Sequence, residues 1–300
     1  MAADPHFAAY SFVDRIDEFE SGRHGRGAFA IPADIAAFSP ALVAEAVGQL
    51  AAWVAMDHIG FRGRPVAALA TETRFHAGAR PGDTLELSAD VYACDDDAVA
   101  YNGRAAVAGR TVIELVDCLG PMLPVAEFDD PKAMRERLAL LRSRGAAAGR
   151  FRGVEPMPAQ VTEREPGVSL TAILDVPAHA PFFGDHFPRR PVFPATLLLD
   201  AQMRLAVDLA REAPIMRGAA PRAVRMTHVK MRSFIVPAQR LAIDVKLKAA
   251  GNDTLAATLT AKTDERTVAT ARLVLARDTG EADRETIDTA VIASTAGIVP

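Results

Sequence analysis

The chain reads as two copies of one pattern, and that duplication constrains its fold more than any other feature. Ala41 to Ala55 (ALVAEAVGQLAAWVA) and Thr196 to Leu209 (TLLLDAQMRLAVDL) are both long apolar stretches with a single carboxylate near the start. Setting Glu45 on Asp200, an offset of 155, also puts Phe38 on Phe193 and Gln49 on Arg204. Thr73 to Leu87 then matches Val229 to Ile243 at an offset of 156, each with a basic residue, a short alternating stretch, a proline turn and a strand. The first half closes with Leu85–Ala93 and Val99–Val116, the second with Leu241–Ala249 and Thr254–Leu275. Alternation and turn residues such as Asn252-Asp253 make each of these a pair of strands. Two copies at this period are a domain duplication, not a solenoid, and 300 residues is about twice a common domain length.

Each half is therefore expected to run strand, long helix, then several antiparallel strands. A helix that is apolar on every face has to be buried on most sides. The expected class is α+β, an antiparallel sheet wrapped around a long central helix in each copy. Pairing the two sheets edge to edge would remove one exposed edge from each. The expected boundaries are 1–128 for the first domain, 129–167 for a helix and linker, 168–278 for the second domain and 279–300 for a loosely held tail. In the connecting segment, Asp130 and Pro131 supply a start signal for a surface helix over Asp129–Arg144. The Gly-, Ala- and Pro-rich stretch 145–167 reads as linker.

Composition narrows the function classes. The net charge of −4 argues against nucleic acid as a partner. No window approaches ~18 uninterrupted apolar residues, so no membrane span is expected, and Met1–Tyr10 has neither the basic start nor the apolar core of a secretion signal. Cys94 and Cys118 lie 24 residues apart without a CxxC pair, which favours buried thiols in a reducing cytoplasm over a disulfide. No residues have the spacing of a zinc cluster, so no metal is expected.

The segment richest in chemistry is His179–Asp200, HAPFFGDHFPRRPVFPATLLLD. His186 is followed by Phe187-Pro188, by further proline turns at Pro191 and Pro194, and then by an apolar helix. Prolines fix φ and stiffen the loop. A stiff loop entering a helix can hold an imidazole still and present unpaired backbone N–H groups to a carbonyl oxygen.

This tract resembles the signature of the β-hydroxyacyl-acyl-carrier-protein dehydratases of fatty-acid synthesis: an FF..HFP..PV.P run with an acid fourteen residues after the histidine, here His186 and Asp200. Asp14-Arg15-Ile16 is similar to that family's opening strand, and Glu45 to Ala51 to its active helix with an E-A-x-x-Q-x-A pattern. The resemblance covers roughly 110 residues of each half. It implies the hotdog fold, with the tandem chain as a covalent version of the usual hotdog dimer. In that family a site joins the histidine of one subunit to the carboxylate of the other. Carried onto this chain, His186 pairs with Glu45, with Gln49 nearby and Phe187, Val192, Phe193 and Ala195 supporting or contacting substrate. Fourteen residues before Glu45 stands Ile31, and Arg204 occupies the glutamine position after Asp200. The second, pseudo-symmetric site of Ile31 and Asp200 is thus expected to be dead.

The implied activity is that of a lyase. It removes a proton from C2 and hydroxide from C3 of a 3-hydroxyacyl thioester to give the trans-2-enoyl thioester, with no cofactor. The acyl group would arrive on acyl carrier protein or coenzyme A. Three double units in a ring would parallel a hexamer of single domains. The sequence departs from the family at Ala195 and Arg189, where glycine is usual or frequent, and at Gly184-Asp185 before the histidine.

Plainer readings stand beside these. His186 as an ordinary loop histidine, Glu45 capping a backbone or meeting Arg74, Gln49 as packing, and Arg189 and Arg190 as solvated surface charges or as attractants for an acidic carrier all remain open. His24, His58, His76 and His228 carry no partner pattern, and Asp95-Asp96-Asp97 reads as a hairpin turn. Two other functions remain open on the same fold: an acyl thioesterase, and a degenerate acyl-binding or scaffold protein.

Overall fold

The computed structural model describes residues 7–264 and 266–278. The stretch expected as a tail, 279–300, lies outside the described residues.

Each half opens with a hairpin, β1 (Arg15–Glu20) with β2 (His24–Ala30) in the first and β8 (Gln160–Glu165) with β9 (Ser169–Asp175) in the second. The long helices follow, α1 (Pro40–His58) and α4 (Ala195–Ala210). Between the halves lies α2 (Pro131–Leu141), and α3 (Pro181–His186) is a single short turn before α4. The remaining strands of the first half are β3 (Gly63–Pro65), β4 (Leu69–Phe75), β5 (Thr84–Cys94), β6 (Ala98–Val107) and β7 (Arg110–Pro124). In the second half they are β10 (Pro221–Met231), β11 (Arg240–Ala249), β12 (Thr254–Lys262) and β13 (Thr267–Arg277).

All the pairings are antiparallel, and the sheet runs β1-β2-β5-β6-β7-β4 and then β10-β13-β12-β11-β9-β8, with β3 on the side of β7. The second list is the first in reverse. The halves meet where β4 pairs β10, Arg74 opposite Arg225 and Ala70 opposite Val229. The sheet therefore has a pseudo-twofold at its middle, as the duplication requires, and α1 and α4 pack together beside it. Alternation builds the strands as expected: β12 buries Leu255, Ala257, Leu259 and Ala261 and turns the residues between them outward. Gly103 in β6 has a local reason, since a Cβ there would stand 2.3 Å from Val47 Cγ1 of α1.

Four expectations are corrected. Val99–Val116 is two strands, not one, because Ala108 (φ 49°) and Gly109 (φ 75°) make a tight turn of the hairpin type. Thr254–Leu275 is likewise split, into β12 and β13. The stretch 145–167 is not all linker: Gln160–Glu165 forms β8, exposed along its whole length, so it lacks the apolar alternation that would mark it. The helix over Asp129–Arg144 is shorter, Pro131–Leu141, with Asp130 as its cap, accepting from the N–H groups of Lys132 and Ala133. Met134, Leu138 and Leu141 bury one face of it.

Candidate active site

Between the first and last turns of α1, the residues that are not fully buried are Ala44, Glu45, Gly48, Gln49 and Ala52. They recur at helical spacing and so share one face, and all five line a cavity of about 210 Å³. Small side chains leave space there, while Glu45 and Gln49 supply its polar groups. The opposite wall comes from the second half: His186, Phe187, Val192, Phe193, Ala195, Thr196 and Leu199. The structure thus brings His186 and Glu45 into one cavity from opposite halves, together with every supporting residue expected from the sequence.

Glu45 is held from both sides. Gln49 Nε2 donates to its Oε1 at 3.0 Å, and Thr196 Oγ1, from the other half, donates to its Oε2 at 2.8 Å. Burial pushes its carboxyl above the usual range, against those two hydrogen bonds and the distant Arg64 charge. Gln49 both orients and packs: it also donates to Tyr10 O at 2.9 Å and accepts from Phe12 N at 2.8 Å. Arg74, an alternative partner for Glu45, instead pairs with Glu72 and Glu114.

His186 closes the short helix α3, with its Nδ1 buried and without a hydrogen-bond partner. Burial and the positive charge of Arg64 push the imidazole down to about 3, only partly opposed by the Val192 backbone and Asp185. Burial thus favours the neutral imidazole, while it biases the Glu45 carboxyl in the same cavity toward keeping its proton. Environments that push a base and an acid apart in this sense are the mark of an acid–base pair.

Helix α4 begins without a side-chain cap. Pro194 takes the cap position, and only Leu197 and Leu198 reach back to its carbonyl. The N–H of Phe193 is spent on Ile235 O at 2.8 Å. The first turn at Ala195 therefore opens into the cavity with its donors and the positive end of its dipole.

Several functional residues escaped the sequence. Asp185, which stands out as a departure before the histidine, is buried and accepts from Phe7 N, Ala9 N, Tyr10 N and Ser11 Oγ, the last two at 2.8 Å. It ties the N-terminal segment across the site. That segment carries Tyr10, whose ring lies 5.1 Å from the His186 ring and whose hydroxyl meets Thr196. Thr196 was legible in principle, being four residues before Asp200 on the same helix face. Tyr10, in a stretch informative only about targeting, and Arg64 gave no signal.

The pseudo-symmetric positions carry different groups. Ile31 is buried in the core, and Asp200 Oδ2 accepts from Arg204 Nε at 2.9 Å. Arg189 and Arg190 are not free surface charges, since they pair with Asp130 and Glu127 across the junction with the first half. Asp95 forms the turn it was read as, its Oδ1 accepting from Asp97 N and Ala98 N. The other histidines stay outside the cavity, with His24 near Glu18 and His76 on Glu114. Cys118 is a buried thiol and Cys94 a partly exposed one, neither in a disulfide.

Residues 157–272 match the family model of the FabA-like domain, less than half of the chain. A 3-hydroxyacyl-acyl-carrier-protein dehydratase FabZ of Symbiobacterium thermophilum is 28% identical over 90 residues, 30% of this chain and 63% of that protein. The chain thus spans less than two thirds of that curated relative. Among solved structures, a Lactobacillus plantarum protein described as an oleoyl thioesterase superposes at TM-score 0.55 with 9% identity, covering 85% of this chain and 96% of that one. A conserved hotdog-fold protein of Alicyclobacillus acidocaldarius superposes at TM-score 0.50 with 13% identity, over 91% of this chain and 98% of its own. The fold is a double hotdog, and at these identities the structural likeness speaks for fold alone. The matched region contains the His186 loop but not the helix of Glu45. No helix among the described residues is long and apolar enough to cross a membrane.

Proposed function

We propose that this chain, whose second half is a FabA-like domain in a double hotdog, dehydrates 3-hydroxyacyl thioesters at a single composite site. The observation that carries this reading is the shared cavity: a neutral, buried imidazole from one half and a carboxyl biased toward its protonated form from the other. His186 takes the C2 proton, the open N-terminus of α4 at Ala195 faces the thioester oxygen, and Glu45 gives its proton to the departing C3 hydroxyl, which leaves as water. Gln49 and Thr196 hold Glu45 in place. A positioned acid or base of this kind contributes ~10²–10⁴-fold. The apolar remainder of the cavity, with Leu115, Leu119, Val99 and Met226, suits an acyl chain, and the chain would be delivered on acyl carrier protein or coenzyme A.

The test is to incubate the protein with a 3-hydroxyacyl thioester of N-acetylcysteamine or coenzyme A and follow both enoyl absorbance and free thiol. Enoyl product that falls ~10²–10⁴-fold in His186→Ala supports the reading. Thiol release without enoyl product would sink it in favour of a thioesterase, and neither product with tight acyl-thioester binding would leave a binding protein.

A further inference from the structure

Arg64 stands where the acid–base pair does not account for it. It comes from β3 of the first half, its side chain is only 15% exposed, and it lines the same cavity as His186 and Glu45. Its guanidinium stacks 4.4 Å over the ring of Phe187, the residue next to His186. Its Nη1 is buried and makes no hydrogen bond, and the same is true of Ser233 Oγ on the cavity wall from the second half. The nearest anion, Asp129, places its Oδ2 3.6 Å from this same Nη1, an ion-pair contact beyond hydrogen-bond distance, and that oxygen is held by Arg137 Nη1 at 2.7 Å. An unmet buried donor costs about 1–3 kcal/mol, more when charged. Two such donors on residues that line one cavity are explained most simply by an acceptor that the occupant brings.

We infer that Arg64 is a further catalytic residue of this site: with Ser233 it receives the thioester carbonyl oxygen as negative charge develops there. The inference rests on the acyl-thioester reading given above. In the step, His186 accepts the C2 proton, the C–H electron pair forms the C1–C2 double bond, and the carbonyl pair moves onto the oxygen facing Arg64 Nη1. Collapse of the enolate restores the carbonyl, forms the C2–C3 double bond and breaks C3–O, and the hydroxyl leaves as water with the Glu45 proton. The proton on His186 then passes to Glu45 through solvent. The open terminus of α4 offers partial charge to this oxygen, whereas Arg64 brings a full one.

The decisive measurement does not require turnover. A trans-2-enoyl thioester labelled with ¹³C at the carbonyl is bound to the full chain, and its C=O stretch is read by difference infrared spectroscopy. A cation on the oxygen lowers that stretch in the wild type. Arg64→Met abolishes the lowering, Arg64→Lys keeps part of it, and Ser233→Ala diminishes it. In the dehydration assay Arg64→Met then loses ~10²–10³-fold in kcat, the usual worth of such a donor, with a smaller change in KM. An unshifted carbonyl in the wild type, or the same shift in Arg64→Met and Arg64→Lys as in the wild type, overturns the inference whether or not the protein turns over. A shift that depends on Arg64 in a protein that forms no enoyl product upholds the inference and overturns only the dehydratase reading.

Discussion

The two helix starts of this molecule occupy equivalent places and have opposite chemistry. At α4, Pro194 provides no side-chain cap, Ala195 opens into the cavity, and His186 stands nine residues before it. At α1, the residue equivalent to Ala195 is Pro40, which has no N–H to offer, and Ser39 caps the helix by accepting from Leu42 N at 3.4 Å. Ile31 replaces the histidine. On the facing helices the contrast repeats: Glu45 is held by neutral donors, whereas Asp200 is tied to the guanidinium of Arg204. Four phenylalanines, Phe12, Phe29, Phe38 and the connecting segment's Phe151, pack edge to face near the start of α1, with Phe12 and Phe151 centroids 5.1 Å apart. One end of the pseudo-twofold opens onto the cavity lined by His186 and Glu45, and the other is packed with aromatic rings. Fusion of two copies allows this, because a single gene for each half no longer has to serve both roles.

That contrast can be broken at several strengths. Glu45→Gln should lower the proposed dehydration by ~10²–10⁴-fold, while Asp200→Asn at the equivalent position changes stability by less than about 1 kcal/mol and leaves the rate alone. Steady-state rates on the two variants decide it, and equal losses would refute the asymmetry. Phe151→Ala removes a fully buried ring from the closed end and should cost about 3–5 kcal/mol by denaturant unfolding, with the chemistry of the surviving fold intact.

The pH dependence sharpens the picture. His186 is pushed down to about 3 and Glu45 is raised, so the working state is neutral imidazole with protonated carboxyl. As pH falls, activity persists well below the ordinary histidine value of 6.5 and drops only where His186 gains its proton. As pH rises through the raised value of Glu45, the acid is lost and the rate declines. A kcat/KM profile with its acid limb near 6.5 would contradict this assignment.

Thr196→Val deletes the cross-half hydrogen bond to Glu45 and the contact with Tyr10, and should cost about 0.5–1.5 kcal/mol of positioning as a fall in kcat larger than the change in KM. Weakest of all, Ile31→His is expected to create no second activity when measured in a Glu45→Gln background. The imidazole would face a carboxylate already bound by Arg204 and a helix start that begins with proline.

Much of this was legible in the residues. The duplication and the two central helices follow from an offset and a pattern, because periodicity is a local property of the chain, whereas the cross-half pairing of His186 with Glu45 was implied only by the resemblance to the dehydratase family carried onto that duplication. The hairpin before each helix was less visible, since β8 is exposed on both faces and carries no alternation. The turn at Ala108-Gly109 hid inside an apolar run.

What tertiary structure alone decided is who meets whom. Tyr10 reaches His186 only because Asp185, 175 residues along the chain, gathers the backbone N–H groups of the N-terminal segment. Arg64 becomes a buried cation beside the imidazole only because β3 lies along β7 and under Phe187. The sequence determines helix faces and loop stiffness through near-neighbour sterics and hydrophobic spacing. Contacts across such separations depend on how the two halves pack, and the low dielectric created by that packing sets the protonation of His186 and Glu45.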